Sequence, residues 1–303
     1  MRKRLSLRYR IFRRWIKASK LKDFFRLPED TIIEKAKQLN SENPFQIPQD
    51  SDFIYSDRIV EDSFHCLCLE NPRTESKAAI LYLHGGGMIL APTKKDLRLI
   101  KDLSRKTGKD VWAPHYPLCI EHSIDQTFSV VYEYYRQMVD QYGAENISVI
   151  GFSAGASLAI GMGLHNNVQT NKLAMPAKII ACAPGSVSPS LEIKERMEEL
   201  NSQDFILDMD FMNNIEQILT KGKDLPGYML GIEGDYSNFP TTYLYYGGAE
   251  ILYSLAPYIM DSFKKYNSNC ILDVAPEMFH CYMMFHFFPE AKQTWKEIVE
   301  LLK

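Results

Sequence analysis

Residues 147–166, ISVIGFSAGASLAIGMGLHN, set a strand-length apolar run directly against an alanine- and glycine-rich helical run with no loop between them. The junction is Gly151-Phe152-Ser153-Ala154-Gly155, a G-x-S-x-G elbow. A chain that turns so sharply from strand to helix has room only for small residues on either side of the serine, whose hydroxyl is then presented at the strand end. One domain-half earlier, His84-Gly85-Gly86-Gly87 ends another strand-like run. Backbone N–H groups of such a glycine loop can point at an oxyanion as it develops. The two motifs together point to nucleophilic chemistry at a serine.

The pattern around them is a β-α alternation. Short apolar runs that end in Gly, Pro or a polar turn predict strands at 78–84, 110–116, 147–152, 178–183, 241–246 and 270–275. Amphipathic runs predict helices at 94–106, 124–142, 154–166, 255–266 and 290–302. Alternation of this kind implies an α/β fold, a mostly parallel central sheet with buried strands and helices on both faces. Ligands of such a sheet bind at the carboxyl ends of the strands, where both motifs fall. The stretch 53–69 alternates instead, which suggests antiparallel edge strands. The start of the chain to about Asn40 reads as helical, with Leu5, Tyr9, Phe12 and Ile16 on one stripe, and Pro44 and Pro48 mark a linker. A helix-containing insertion, about 186–239, interrupts the alternation. No internal repeat or low-complexity segment is present.

Charge is placed unevenly. Of the 303 residues, the first 26 carry eleven Lys or Arg and the single acid Asp23, while the whole chain has a net charge of -3. The overall balance gives no bulk signal for nucleic acid or anionic membrane. No apolar run approaches the ~18 residues of a membrane span, and the basic start lacks the apolar stretch of a signal peptide, so a cytoplasmic location is expected. Cys66, Cys68, Cys119, Cys182, Cys270 and Cys281 form no C-x-x-C pair and read as reduced thiols. No histidine or cysteine cluster has metal-ligand spacing, so neither metal nor cofactor is expected.

A serine hydroxyl needs a base to take its proton, and the base needs a third group to orient it. With Ser153 as nucleophile, the chain order nucleophile–acid–histidine directs the search downstream. Glu250 follows the predicted strand 241–246 in the loop Gly247-Gly248-Ala249-Glu250, and His280 follows the last strand. His286 is the positional rival of His280, but it sits in an aromatic run that reads as core. Gly85, Gly86, Gly87 and Ala154 are the oxyanion-hole candidates, and His84 reads as a brace for the glycine loop.

Four blocks in this order resemble the hormone-sensitive-lipase-type carboxylesterases: 84–87, Tyr116-Pro117-Leu118-Cys119-Ile120-Glu121-His122, 151–155, and Gly248-Ala249-Glu250-Ile251-Leu252 with His280. The second block departs at Pro117, Cys119 and Ile120 from the family's Y-R-L-A-P-E-H, and the family's usual acid is Asp where Glu250 stands. Met88 occupies a place that is usually aromatic. The resemblance implies an α/β-hydrolase fold with a helical cap built from residues 1–50 and 186–239 over a hydrolase domain of 51–303. It further implies hydrolysis of small, short-acyl esters, with a homodimer as one assembly of such proteins. The basic N-terminal helix then reads first as a cap, second as an interfacial helix on anionic lipid or a partner, and third as a solvated charged face. Amide or peptide hydrolysis by the same residues, and a catalytically silent ligand-binding scaffold, are the alternative functions.

Overall fold

The computed structural model describes residues 5–19, 21–72, 76–186 and 190–303. Three helices come first, α1 (Leu7–Ala18), α2 (Leu21–Phe24) and α3 (Glu29–Ser41). There follow β1 (Ile54–Val60), β2 (Phe64–Glu70), β3 (Ala79–Leu83), α4 (Lys94–Thr107), β4 (Asp110–Pro114), α5 (Ile124–Tyr142), β5 (Ile147–Phe152), α6 (Ala154–Val168) and β6 (Lys178–Cys182). The insertion holds α7 (Leu191–Asn201), α8 (Met209–Thr220) and α9 (Gly227–Leu230), and the chain closes with β7 (Thr242–Gly247), α10 (Ala256–Lys265), β8 (Cys270–Ala275) and α11 (Pro289–Leu302).

The eight strands form one sheet in the order β1-β2-β4-β3-β5-β6-β7-β8. β1 and β2 are antiparallel, β2 meets β4 antiparallel, and every other pair is parallel. The chain steps from β3 outward to β4, then back past β3 to β5. Right-handed crossovers therefore put α4 on one face and α5 and α6 on the other. The packing agrees, since α5 lies on α6 and α4 on α11. The strand order reverses at β3, and the crevice above a reversal is where an open α/β sheet receives its ligand.

β3 and β5 are buried along their whole length, as apolar runs covered on both faces must be. α6 is buried on nearly every side, which explains its almost uniformly apolar sequence. β8 differs from the expected buried strand. It is the sheet edge, its residues alternate between exposed and half-buried, and Ile271 is 44% exposed. The helical start is divided into three helices. Pro28 stands at the N-cap of α3, because proline lacks the N–H a preceding turn would need. All six cysteines are free thiols, five of them buried.

The inner stripe of α1, Tyr9 and Ile16, is buried against the body of the molecule. Tyr9 donates to the Glu277 carbonyl at 2.6 Å, and Ser6 donates its N–H and hydroxyl to the Glu290 carboxylate. α2 ties the N-terminal segment to the insertion: the Lys22 ammonium donates to the Asn201 and Asp204 carbonyls, and Phe25 stands edge-on to Phe211. Arg26 donates to the Asp208 carboxylate, which caps α8.

Candidate active site

Ser153 sits between β5 and α6 with φ 52° and ψ -121°, a left-sided backbone conformation that costs a non-glycine residue of order 1–3 kcal/mol. The surroundings hold it there. A Cβ on Gly151 would lie 2.1 Å from the Gly155 carbonyl oxygen, and a Cβ on Gly155 would lie 2.1 Å from the Leu83 carbonyl oxygen. The elbow thus requires glycine at both flanks because α6 starts in backbone contact with β3 and β5. The Ser153 amide donates to Cys182 of β6 at 2.8 Å.

His280 reaches the serine from the loop after β8. Its Nε2 lies 2.9 Å from Ser153 Oγ, and its Nδ1 lies 2.5 Å from Glu250 Oε2. Glu250 is fully buried, and its second oxygen accepts from the Gly247 amide at 2.6 Å. The three residues come from the ends of β5, β7 and β8. Burial is the largest influence on Glu250 and pushes its carboxyl above the usual range, against the lowering effects of His280 and the Gly247 amide. Burial also acts most strongly on His280, favouring the neutral ring, but the Cys281 sulfur and the Glu250 carboxylate oppose it. The net direction is well above the usual imidazole range. Both shifts fit one proton held between Glu250 and His280. His286 takes no part in these contacts; its ring packs on Trp295 with centroids 4.8 Å apart. The run around it is not wholly core, since Phe287 is 46% exposed.

The four oxyanion candidates take different places. Gly87, at φ 64°, and Ala154 line a cavity together with Ser153. Ala154 is the first residue of α6, where helix amides have no partner within the helix. Gly86, at φ 98°, packs on Leu90, and Gly85 packs behind the serine, with the Phe152 carbonyl oxygen 3.1 Å from where a Cβ would sit. His84 lies outside the cavity. Its Nδ1 is 2.7 Å from the Gly85 carbonyl oxygen, and its ring stacks on Tyr116 at 4.1 Å between centroids. The Tyr116 hydroxyl in turn donates to the His84 carbonyl at 2.8 Å. Burial pushes the His84 ring toward its neutral form.

The cavity beside Ser153 has a volume of about 60 Å³. Its floor is the elbow and the glycine loop, and its roof is Phe211, Met212, Ile215 and Leu219 of α8. Ile215 Cδ1 comes within 3.1 Å of where a Cβ on Gly87 would lie, so the insertion closes directly on the loop. A larger cavity of about 280 Å³ lies behind His84, between the 42–49 linker and α4, and does not reach the serine.

Two supports of the site escaped the sequence reading. Asp204, buried in the insertion between α7 and α8, accepts from the amides of Ile251, Ile206 and Leu207. It therefore holds the residue next to Glu250, and burial pushes its own carboxyl upward. Asn40, at the end of α3, donates to the Ile89 carbonyl and accepts from the Ala91 amide, pinning the exit of the glycine loop. Neither belongs to a local motif. A polar residue at a helix end gives no sign of a partner about fifty residues away. Among the described residues no group of three His, Cys, Asp or Glu side chains is placed to hold a metal ion.

A family model described as the alpha/beta hydrolase fold matches residues 80–284. An esterase of Acinetobacter venetianus is 26% identical over 229 residues, 73% of each chain. An acetyl esterase of Salmonella choleraesuis is 36% identical over 102 residues, 32% of this chain and 31% of the relative. Among solved structures, a hormone-sensitive lipase from a metagenome library superposes with a TM-score of 0.78 at 22% identity, covering 96% of both chains. An esterase/lipase from an uncultured bacterium gives 0.76 at 21% identity, covering 94% of this chain and 97% of the other.

Proposed function

We propose that this chain, which belongs to the family described as the alpha/beta hydrolase fold, is a carboxylesterase of the hormone-sensitive-lipase type that hydrolyses short-acyl carboxylic esters through Ser153, His280 and Glu250. The observation that carries the proposal is the unbroken contact from Ser153 Oγ through both ring nitrogens of His280 to a buried carboxylate.

In this mechanism Ser153 Oγ attacks the ester carbonyl carbon as His280 Nε2 takes its proton. Glu250 holds the ring in the tautomer with Nδ1 protonated and stabilises the imidazolium that forms. The carbonyl oxygen, now carrying the charge, is met by N–H groups of the Gly85–Gly87 loop and of Ala154. Collapse of the tetrahedral intermediate breaks the bond to the alkoxide, which leaves with the proton from His280. A water then repeats the sequence on the acyl-enzyme, with His280 as base, and frees the carboxylic acid and Ser153.

The cavity bounds the acyl group. One water occupies about 10–15 Å³ of such volume, so 60 Å³ admits about four to six water-sized groups, room for a short acyl chain. The N-terminal helices and the insertion, joined through Lys22, Arg26 and Phe25, act as the cap over this space. The test is Ser153→Ala against p-nitrophenyl acetate. A loss of about 10³-fold or more in kcat is expected of folded protein. Near-unsubstituted turnover would remove Ser153 from the mechanism.

A further inference from the structure

α1 has two apolar stripes, and the fold uses only one. Tyr9, Phe12 and Ile16 face inward. Leu7, Ile11 and Trp15 face the other way and are 67%, 59% and 64% exposed. At about 100° per residue, these three span an arc of about 80°, centred about 130° round the helix from the inner stripe. Arg10 and Arg14 lie along one border of the outer stripe and Arg8 along the other, all three exposed. Phe287, 46% exposed, continues the apolar surface beside Arg8, which donates to its carbonyl. The sequence adds Arg2, Lys3 and Arg4 just ahead of the described residues.

We propose that the outer face of α1 is a docking surface for an anionic lipid bilayer, on which the protein lies peripherally. Leu, Ile and Trp in one stripe with arginine borders is the pattern of a helix lying in the plane of a membrane interface. The apolar side chains enter the headgroup boundary, with tryptophan at the level where its ring is favoured, and the guanidinium groups meet lipid phosphates. The stripe is the exposed side of a helix, which a fluid bilayer can meet along its whole length. A second copy of this chain fits poorly, because a two-fold contact sets the patch against itself and brings Arg8, Arg10 and Arg14 against like charge. Among the described residues no helix is long and apolar enough to cross a membrane, so the contact is one of lying on the bilayer. The docked helix is also the one whose Tyr9 holds the Glu277 carbonyl, three residues before His280, so the bilayer lies beside the candidate active site.

The test uses the full chain with vesicles of phosphatidylcholine alone and of phosphatidylcholine mixed roughly 2:1 with phosphatidylglycerol, read by co-sedimentation and tryptophan emission. The chain has three tryptophans, and Trp112 and Trp295 are each 2% exposed, so a change in emission reports Trp15. Sedimentation with the anionic vesicles, a blue shift, weakening by salt and little binding to phosphatidylcholine alone are expected. Arg10→Glu with Arg14→Glu should weaken partitioning more than about 20-fold, since each basic residue near such a surface contributes about fivefold. Ile11→Asp should abolish the blue shift. Both variants should keep the melting temperature, as they alter exposed side chains. The proposal is overturned if the unsubstituted protein stays in the supernatant, if phosphatidylcholine alone binds it equally, or if the folded variants bind undiminished. A concentration-dependent dimer lost in Ile11→Asp, without lipid binding, would assign the face to a second copy and equally overturn it.

Discussion

Truncating Ile215 to alanine should change which esters the protein prefers, and by an amount the structure sets. Ile215 is 6% exposed on the inner side of α8, where it closes the cavity over Gly87 and Ser153. The substitution removes three carbons from the end of a space of about 60 Å³. An acyl chain two carbons longer than the native limit could then bury both, at about 0.8 kcal/mol each. That total of about 1.6 kcal/mol corresponds to roughly 15-fold in kcat/KM for the longer ester relative to the acetate. Stability should fall by about 2 kcal/mol, the low end for a buried isoleucine, because this side chain already borders empty space. The assay is kcat/KM for a p-nitrophenyl ester series from acetate to laurate, beside a thermal melt of the same preparation. A melting temperature that drops while the chain-length profile stays unchanged would mean that the cavity had been enlarged without reaching the acyl group, and Ile215 would not bound it.

The acid limb of kcat/KM should have its midpoint above the ordinary imidazole value, because the net shift of His280 is upward and only the neutral ring can take the serine's proton. Activity should therefore fall as pH drops through that midpoint. Glu250→Gln removes one of the groups that raise it, so a pH–rate profile should show a lower midpoint and a lower plateau; an unmoved midpoint would contradict the assigned coupling. Asp204→Asn keeps only one acceptor oxygen for three amides, so chemical denaturation should show a loss of about 1.5–3 kcal/mol. Gly155→Ala should fail to yield stable protein, because its new methyl group would stand 2.1 Å and 2.3 Å from two backbone oxygens.

The sheet was legible because its strands end in glycine, proline or polar turns, and because fully buried parallel strands are continuous apolar runs. Predicted and observed bounds of β5, α5 and β8 coincide at 147–152, 124–142 and 270–275. The nucleophile, acid and base candidates were legible for a related reason: each stands where a strand ends, and β5, β7 and β8 are neighbours or near neighbours in the sheet. The N-terminal segment was less legible. A helical period places Leu5, Tyr9, Phe12 and Ile16 on one stripe but does not mark where α1 ends and α2 and α3 follow. The same period hid the outer stripe of Leu7, Ile11 and Trp15, which becomes visible only when the inner stripe is seen packed. The half-exposure of β8 follows from its edge position, which depends on strand order rather than on its own residues. Asp204 and Asn40 act across distances in sequence that carry no local pattern.

The most direct measurement of the central claim is mass spectrometry of the protein after reaction with a fluorophosphonate. One adduct is expected, on the peptide that contains Ser153, formed as ester hydrolysis is lost, absent in Ser153→Ala and much slower in His280→Ala. A fully active protein that carries no adduct, or an adduct on another residue with Ser153 unmodified, would contradict it.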